Sequence, residues 1–302
     1  MTTNAIQSSH IYSTYFAPRG RSRIYTLGMQ IAQLYLSPFD QIIGFIGEAG
    51  SGKSVLIKGM FPGIELTNDD DGVNVRPLPL LEQEYETGFF TPHTYHLDIR
   101  FETGFHQLSE LADAVRLAVR RGKRIIIEHF DLIYPLLGVN ANLLIGVGEQ
   151  IVITRPNLFG PLPQELCDIV YPSLAYRLMA HSAEDLCEYA MTQEQMLACS
   201  HGDIRHGFVL EFNEHQPDID IPALEARVNE LIRADLPIDY YDESHILLGG
   251  VQHYCTGPRT HVRSTGRIIG FRLLDHFIYD HFHKTYMLVG CVGDDSEENI
   301  RK

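Results

Sequence analysis

Residues 42–54 read IIGFIGEAGSGKS. The apolar run Ile42–Ile46 suits a buried parallel strand, and GEAGSGKS, which follows directly, fits the pattern G-x-x-x-x-G-K-[ST] in full. Chemistry explains the spacing. Gly47, Gly50 and Gly52 let the backbone curl until its N–H groups point inward, and Glu48, Ala49 and Ser51 lend their amides to the same nest. The helix that VLIKGM is suited to form then presents its positive end to an anion. Lys53 adds a point charge for the β- and γ-phosphates, and Ser54 offers a hydroxyl to Mg²⁺. The stretch therefore predicts a phosphate-binding loop, with ATP or another nucleoside triphosphate and Mg²⁺ as cofactors.

Outward from the loop the pattern alternates. Residues 22–36, SRIYTLGMQIAQLYL, carry apolar side chains at helical spacing, and Ser37-Pro38 closes that helix before the strand. After Pro62-Gly63, Ile64-Glu65-Leu66 reads as a second strand opening into Asn68, Asp69, Asp70, Asp71 and Gly72. An amphipathic helix is expected over 107–121, a buried strand at Ile125–Ile127, and a further strand at 149–154, EQIVIT, ending at Arg155-Pro156. Strands alternating with helices predict right-handed crossovers and a parallel sheet with helices on both faces, the arrangement of an α/β P-loop NTPase. Its domain is expected over 1–165, followed by an α+β module over 166–302.

Ligands gather at the carboxyl ends of parallel strands. Glu128 follows Ile125–Ile127, where a carboxylate orients a Mg²⁺ water; the alternative is a solvated strand-end acid. Asp69 and Asp70 leave the second strand on the same expected rim, placed to accept a hydroxyl proton, although Asp71-Gly72 also reads as a plain turn. Asp98 and Arg100, in HTYHLDIR, and Arg155 are further candidates for substrate or phosphate contacts.

GEAGSGKS, the strand-to-acid step IELTNDD and the strand RIIIEHFDLIYPLL together resemble the P-loop kinases of the uridine kinase and phosphoribulokinase group over residues 40–155. That resemblance implies ATP-dependent phosphorylation of a small-molecule hydroxyl, with Asp69 or Asp70 as base. The second half resembles a different family. CTGPRTHVRSTGRIIGFR (255–272) is similar to the C-G-G-T-H-V-x-x-T-G-E-I-G-x-F-K stretch of the second additional domain of alanyl-tRNA synthetases and free-standing alanyl-tRNA editing proteins. MAHSAEDL (179–186) resembles that family's H-x-x-x-H segment, and ALEARVNELIRADLPI (223–238) resembles the helix and short strand between its two metal motifs. In that family two histidines one helical turn apart, a cysteine and a last histidine hold Zn²⁺. Here the resemblance assigns His181, Asp185, Cys255 and His261, with aspartate in place of the second histidine and five residues between Cys255 and His261 where the family has three. His253 is an alternative ligand, and a metal-free descendant of the site is the other reading.

Composition bounds the rest. At 44% hydrophobic and 21% charged, the 302 residues are those of a globular chain. The balance of 24 basic against 39 acidic residues, a formal −15, disfavours tRNA as a partner except through a local contact. Cysteines at 167, 187, 199, 255 and 291 show no paired short spacing, and the start MTTNAIQSSH has no apolar core, so a soluble cytoplasmic protein is expected, with no membrane partner. His276, His281 and His283 alternate with aromatics, which fits a half-buried segment better than a metal cluster. The function expected is an ATP- and Mg²⁺-dependent phosphotransferase with a substrate-binding C-terminal module. The alternatives are an aminoacyl-tRNA editing hydrolase or tRNA-linked factor gated by ATP, and a non-catalytic nucleotide switch.

Overall fold

The computed structural model describes residues 12–64, 66, 93–157, 159–213 and 215–294. The chain divides into two compact units: 1–15 with 23–172, and 16–22 with 173–302. The expected boundary at 165/166 falls inside a helix, Pro163–Ala190, which runs through the division at Pro172/Ser173 without a linker.

In the first unit the elements are β1 (Tyr12–Phe16), α1 (Arg21–Tyr35), β2 (Ile42–Ile46), α2 (Lys53–Met60), β3 (Thr94–Asp98), α3 (Ile99–Glu102), α4 (Leu108–Arg120), β4 (Arg124–Glu128), α5 (Phe130–Leu137), β5 (Leu143–Val147) and β6 (Gln150–Thr154). They build one six-stranded sheet in the order β1-β6-β5-β2-β4-β3. The strands β3, β4, β2 and β5 pair parallel with one another in that order. Strand β6 pairs antiparallel with β5. The expected fold class, a P-loop NTPase with a parallel sheet, is therefore corrected to a mixed α/β fold with several sheets, antiparallel ones included. The cause is local: only Gly148 and Glu149 separate β5 from β6, and a parallel return needs a crossover of about a dozen residues. The sequence reading recognised β6 but not the strand Leu143–Val147 immediately before it.

The central strands read as continuous apolar runs, and β2 and β5 are buried at every position. Ile125, Ile127, Leu97 and Val152 form one core with Val115, Phe130 and Ile133 from the helices. Helix α4 starts at a capping box in which Gln107 N donates to Glu110 Oε2 (3.0 Å).

Continuing through the second unit, the elements are α6 (Pro163–Ala190), α7 (Gln193–Ala198), β7 (Cys199–Ile204), β8 (Gly207–Asn213), α8 (Ile221–Arg233), β9 (Ile238–Asp242), β10 (His245–Leu248), β11 (Val251–Tyr254), β12 (Arg272–Leu273), β13 (Ile278–Asp280) and β14 (Thr285–Cys291). Two antiparallel sheets result, one in the order β11-β10-β9 and one in the order β12-β14-β8-β7 with β13 on β14. Helix α8 begins where Asp220 accepts from Ala223 N (3.0 Å) and Pro222 occupies its first turn. Its apolar stripe, Leu224, Val228 and Leu231, packs with Leu186, Phe208, Leu210, Ile246 and Leu288. Arg19 draws the segment 16–22 into this unit: it forms a bidentate pair with Glu184 (3.0 and 3.1 Å) and donates to Gly202 O and Gly207 O (2.8 and 3.1 Å). Such a buried fork satisfies a charge that would otherwise be costly. Among the described residues no helix is long and apolar enough to cross a membrane.

Candidate functional site

The glycine-rich loop connects β2 to α2. Gly50 (φ 79°) and Gly52 (φ 88°) hold left-handed backbone, which glycine adopts without strain, and Gly52 caps α2 with no side chain in the way. Lys53 is buried and bends back over the loop, donating to Gly47 O (3.0 Å) and Glu48 O (2.9 Å). Ser54 Oγ donates to Glu128 Oε1 (3.2 Å), and Lys53 Nζ lies 3.7 Å from Glu128 Oε2. His96 Nε2 sits 3.1 Å from Glu128 Oε1. Glu128 is thus the point on which the loop lysine, the loop serine and the neighbouring strand converge. Burial alone would raise its pKa, but the His96 hydrogen bond and the charges of His96 and Lys53 outweigh it and bring the pKa down to about 2. Burial lowers the pKa of Lys53, opposed by the Glu128 and Asp98 charges.

Other rim groups complete the picture. Asp98 ends β3 and accepts from Phe101 N (3.1 Å), capping α3. Arg100 forms an ion pair with Glu48 of the loop, its second contact at 3.3 Å. His129 holds a left-handed backbone (φ 56°) at the start of α5. Burial, then the Lys53 and Arg100 charges, push its pKa down to about 4, so the imidazole is neutral at pH 7. Ligand atoms of Asp98, Glu128 and His129 all lie within 4.8 Å of one another.

Asp69 and Asp70 lie outside the described residues, as does Glu65 of the expected strand at 64–66. Arg155 is corrected: it does not reach the loop. Because β6 is antiparallel, Thr154 pairs with Leu144 at the beginning of β5, so the strand delivers Arg155 to the amino-terminal end of the parallel strands, opposite the loop. There Arg155 pairs with Asp40 (2.7 and 2.8 Å) and donates to Asn142 O (3.2 Å).

The second unit holds a group of a different kind. His181, Asp185, Cys255 and His261 bring ligand atoms within 4.8 Å of one another. Helix α6 places His181 and Asp185 one turn apart, 3.8 Å between Nε2 and Oδ1. Cys255 Sγ lies 3.5 Å from His181 Nε2 and 3.7 Å from His261 Nε2, and His261 Nε2 is 2.8 Å from Asp185 Oδ2. Tetrahedral zinc with bonds of about 2.0–2.3 Å needs donors spaced by about 3.3–3.8 Å, which three of these four distances approach. The remaining ring nitrogens are committed elsewhere: His181 Nδ1 to Thr260 O (2.9 Å) and His261 Nδ1 to Pro258 O (3.2 Å). Those contacts leave both Nε2 atoms facing the group, the orienting role of outer-shell carbonyls.

The extra residues between Cys255 and His261 are absorbed in a turn. Gly257 N donates to Cys255 Sγ (3.2 Å) and Thr260 N to Gly257 O (2.9 Å). A Cβ at Gly257 would meet Arg19 O at 2.2 Å and His181 Cε1 at 2.9 Å, so glycine is required there. Burial and then His261 push the His181 pKa well down, which leaves the neutral imidazole that binds metal. Burial and then the Asp185 charge push the Cys255 thiol far up. A bound divalent cation reverses that balance by stabilising the thiolate. The donor chemistry therefore fits zinc. His253 is not part of this group; it faces Glu188 and Asp185. Of the other histidines, His276 and His283 are exposed and pair with Asp275 and Asp280.

Sequence reasoning missed the Arg100–Glu48 and Arg19–Glu184 pairs and the place of His96 beside Glu128. None carries a local motif; each depends on strand order or on distant segments meeting. No protein-family model matches the chain, and no curated protein matches it either. Among solved structures, an amino transferase from Eubacterium rectale is similar at 14% identity and a TM-score of 0.23, over 72% of this chain and 64% of that one. The chain thus spans less than two thirds of that neighbour's length, and a likeness at this level carries no argument about fold or activity.

Proposed function

We propose that the chain is an ATP- and Mg²⁺-dependent phosphotransferase acting on a small molecule, with a zinc-holding second unit that binds the substrate. The observation that carries the reading is the convergence of Lys53, Ser54 and Glu128 beside the left-handed glycines of the loop. Backbone N–H groups and the start of α2 suit the phosphates, and Lys53 neutralises them once released from the Gly47 and Glu48 carbonyls. Ser54 and Glu128 would hold Mg²⁺, which neutralises charge on the transferring group. Glu128, ionised above about pH 2, supplies the carboxylate this role requires. Asp69 or Asp70 remains the proposed base.

A second reading, an aminoacyl-tRNA editing hydrolase or tRNA-linked factor gated by nucleotide, is favoured by the donor set His181, Asp185, Cys255 and His261. Against it stand the −15 charge and the fact that four protein donors close a zinc site rather than leave it open. The free cysteines fit a reducing, cytosolic location. The test is incubation of the protein with γ-labelled ATP, Mg²⁺ and a fractionated small-molecule extract. Label should appear on an acceptor, and Glu128→Gln should slow the transfer at least ~10-fold. Phosphate release to water alone, unchanged by any fraction, would contradict the phosphotransferase reading.

A further inference from the structure

Beside the zinc donors the second unit carries another convergent set. Helix α6 presents Glu188 one turn beyond Asp185, on the stripe that also carries His181. A short α7 follows, opened by a capping box between Thr192 and Gln195, and it delivers the chain into β7 at Cys199. Residues two apart on a strand share a face, so Cys199 and His201 point the same way. Both reach Glu188: Cys199 Sγ lies 3.9 Å from Oε1, and His201 Nε2 contacts the same oxygen closely. Ligand atoms of Glu188, Cys199 and His201 lie within 4.8 Å of one another, as do those of Asp185, Glu188 and His253.

His253 supplies the independent observation. It is 8% exposed, and its Nε2 is buried with no hydrogen-bond partner among the described residues, 4.0 Å from Glu188 Oε2. A buried ring nitrogen left without a partner is costly, and natural structures keep such groups where a ligand satisfies them. Its position in the middle of β11, paired with Ile246 of β10, fixes where it points.

We propose that Glu188, Cys199 and His201 form a second transition-metal site, of the zinc class, adjacent to the one built on Cys255, with the buried His253 ring set against the other carboxylate oxygen of Glu188. Thiolate and imidazole donors select zinc or its neighbours and reject Mg²⁺ and Ca²⁺, which take oxygen ligands. Asp185, a donor of the Cys255 group, also comes within 4.8 Å of Glu188 and His253. The inference does not depend on the nucleotide reading of the first unit, nor on occupancy of the Cys255 site.

The experiment is metal counting on the full chain after saturation with Co²⁺ and desalting, with the thiolate-to-cobalt charge-transfer absorption recorded in parallel. Wild type should hold two equivalents and show the absorption of two thiolates. Cys199→Ser with His201→Ala should lose one equivalent and about half of the absorption, while Cys255→Ser with His261→Ala loses the other. A chain holding metal only through Cys199 would still support this site while sinking the Cys255 assignment. One equivalent unaffected by the Cys199 and His201 changes, or no cobalt at all, overturns the proposal. Should the double variant misfold, the wild-type count and amplitude decide by themselves, and Cys199→Ser alone, a smaller change, should weaken one of two binding steps at least tenfold and remove about half of the absorption.

Discussion

In the first unit the polar groups proposed to face a ligand are largely backbone: amides of the loop Gly47–Ser54 and the start of α2, with Lys53 and Glu128 adding one charge each. In the second unit they are side chains, His181, Asp185 and Cys255 buried and His261 half-buried, drawn from a helix and a turn far apart in sequence. On the proposed reading, the first arrangement would recognise shape and spread negative charge and tolerate little change of backbone, and the second would recognise one small cation and depend on each donor atom. Substitutions should therefore act differently in the two places.

The largest effect is expected at the donors. Cys255→Ser with His261→Ala should lower zinc affinity by at least ~100-fold, since removal of outer-shell partners alone costs about 10–100-fold. Elemental analysis of desalted protein checks it, and nucleotide binding should be untouched. If nucleotide binding falls equally, the contrast between the units breaks. Next comes Glu102, buried at the end of α3, whose pKa burial and then the Asp98 charge push up to about 7. A carboxyl with a raised folded pKa gives stability that is fully present below its ordinary 4.5 and is lost as pH rises through about 7. Glu102→Gln should thus match wild type near pH 4 and exceed it above pH 7 by on the order of 2 kcal/mol. Denaturant melts at the two pH values would show it, and a constant difference between them would contradict it.

Smaller, and sharper for the first unit, is Glu128→Gln. Mg²⁺-dependent turnover should fall at least ~10-fold, about 1.4 kcal/mol, while metal-free nucleotide binding persists. Kinetics with and without Mg²⁺ separate the two. The smallest effect belongs to Arg155→Ala, which should cost about 1 kcal/mol of stability, because Asp40 keeps its bond from Ser37 N (2.7 Å), and nothing in nucleotide affinity. A loss of nucleotide binding in that variant would place Arg155 back at the rim.

The loop was legible because glycine spacing is a local property: the φ values of Gly50 and Gly52 are dictated by three or four neighbouring residues. The helices 21–35 and 108–120 were legible through their periodicity. Strand direction was not. Nothing in EQIVIT says whether it runs with or against its neighbour, and that one unknown moved Arg155 from one end of the strands to the other. His181 and Asp185 were legible as an i, i+4 pair, whereas Glu188, Cys199 and His201 meet only because α7 turns the chain back, and Arg19 meets Glu184 across 165 positions. Side chains that converge through tertiary folding leave no spacing to read.

The central claim is that the loop binds a nucleoside triphosphate through Lys53 and its backbone nest. Calorimetric titration of Mg²⁺–ATP into the wild-type chain and into Lys53→Ala tests it most directly. The account predicts saturable binding by the wild type and at least ~10-fold weaker binding by the variant. Equal affinity in the two proteins, or no binding by the wild type, would contradict it.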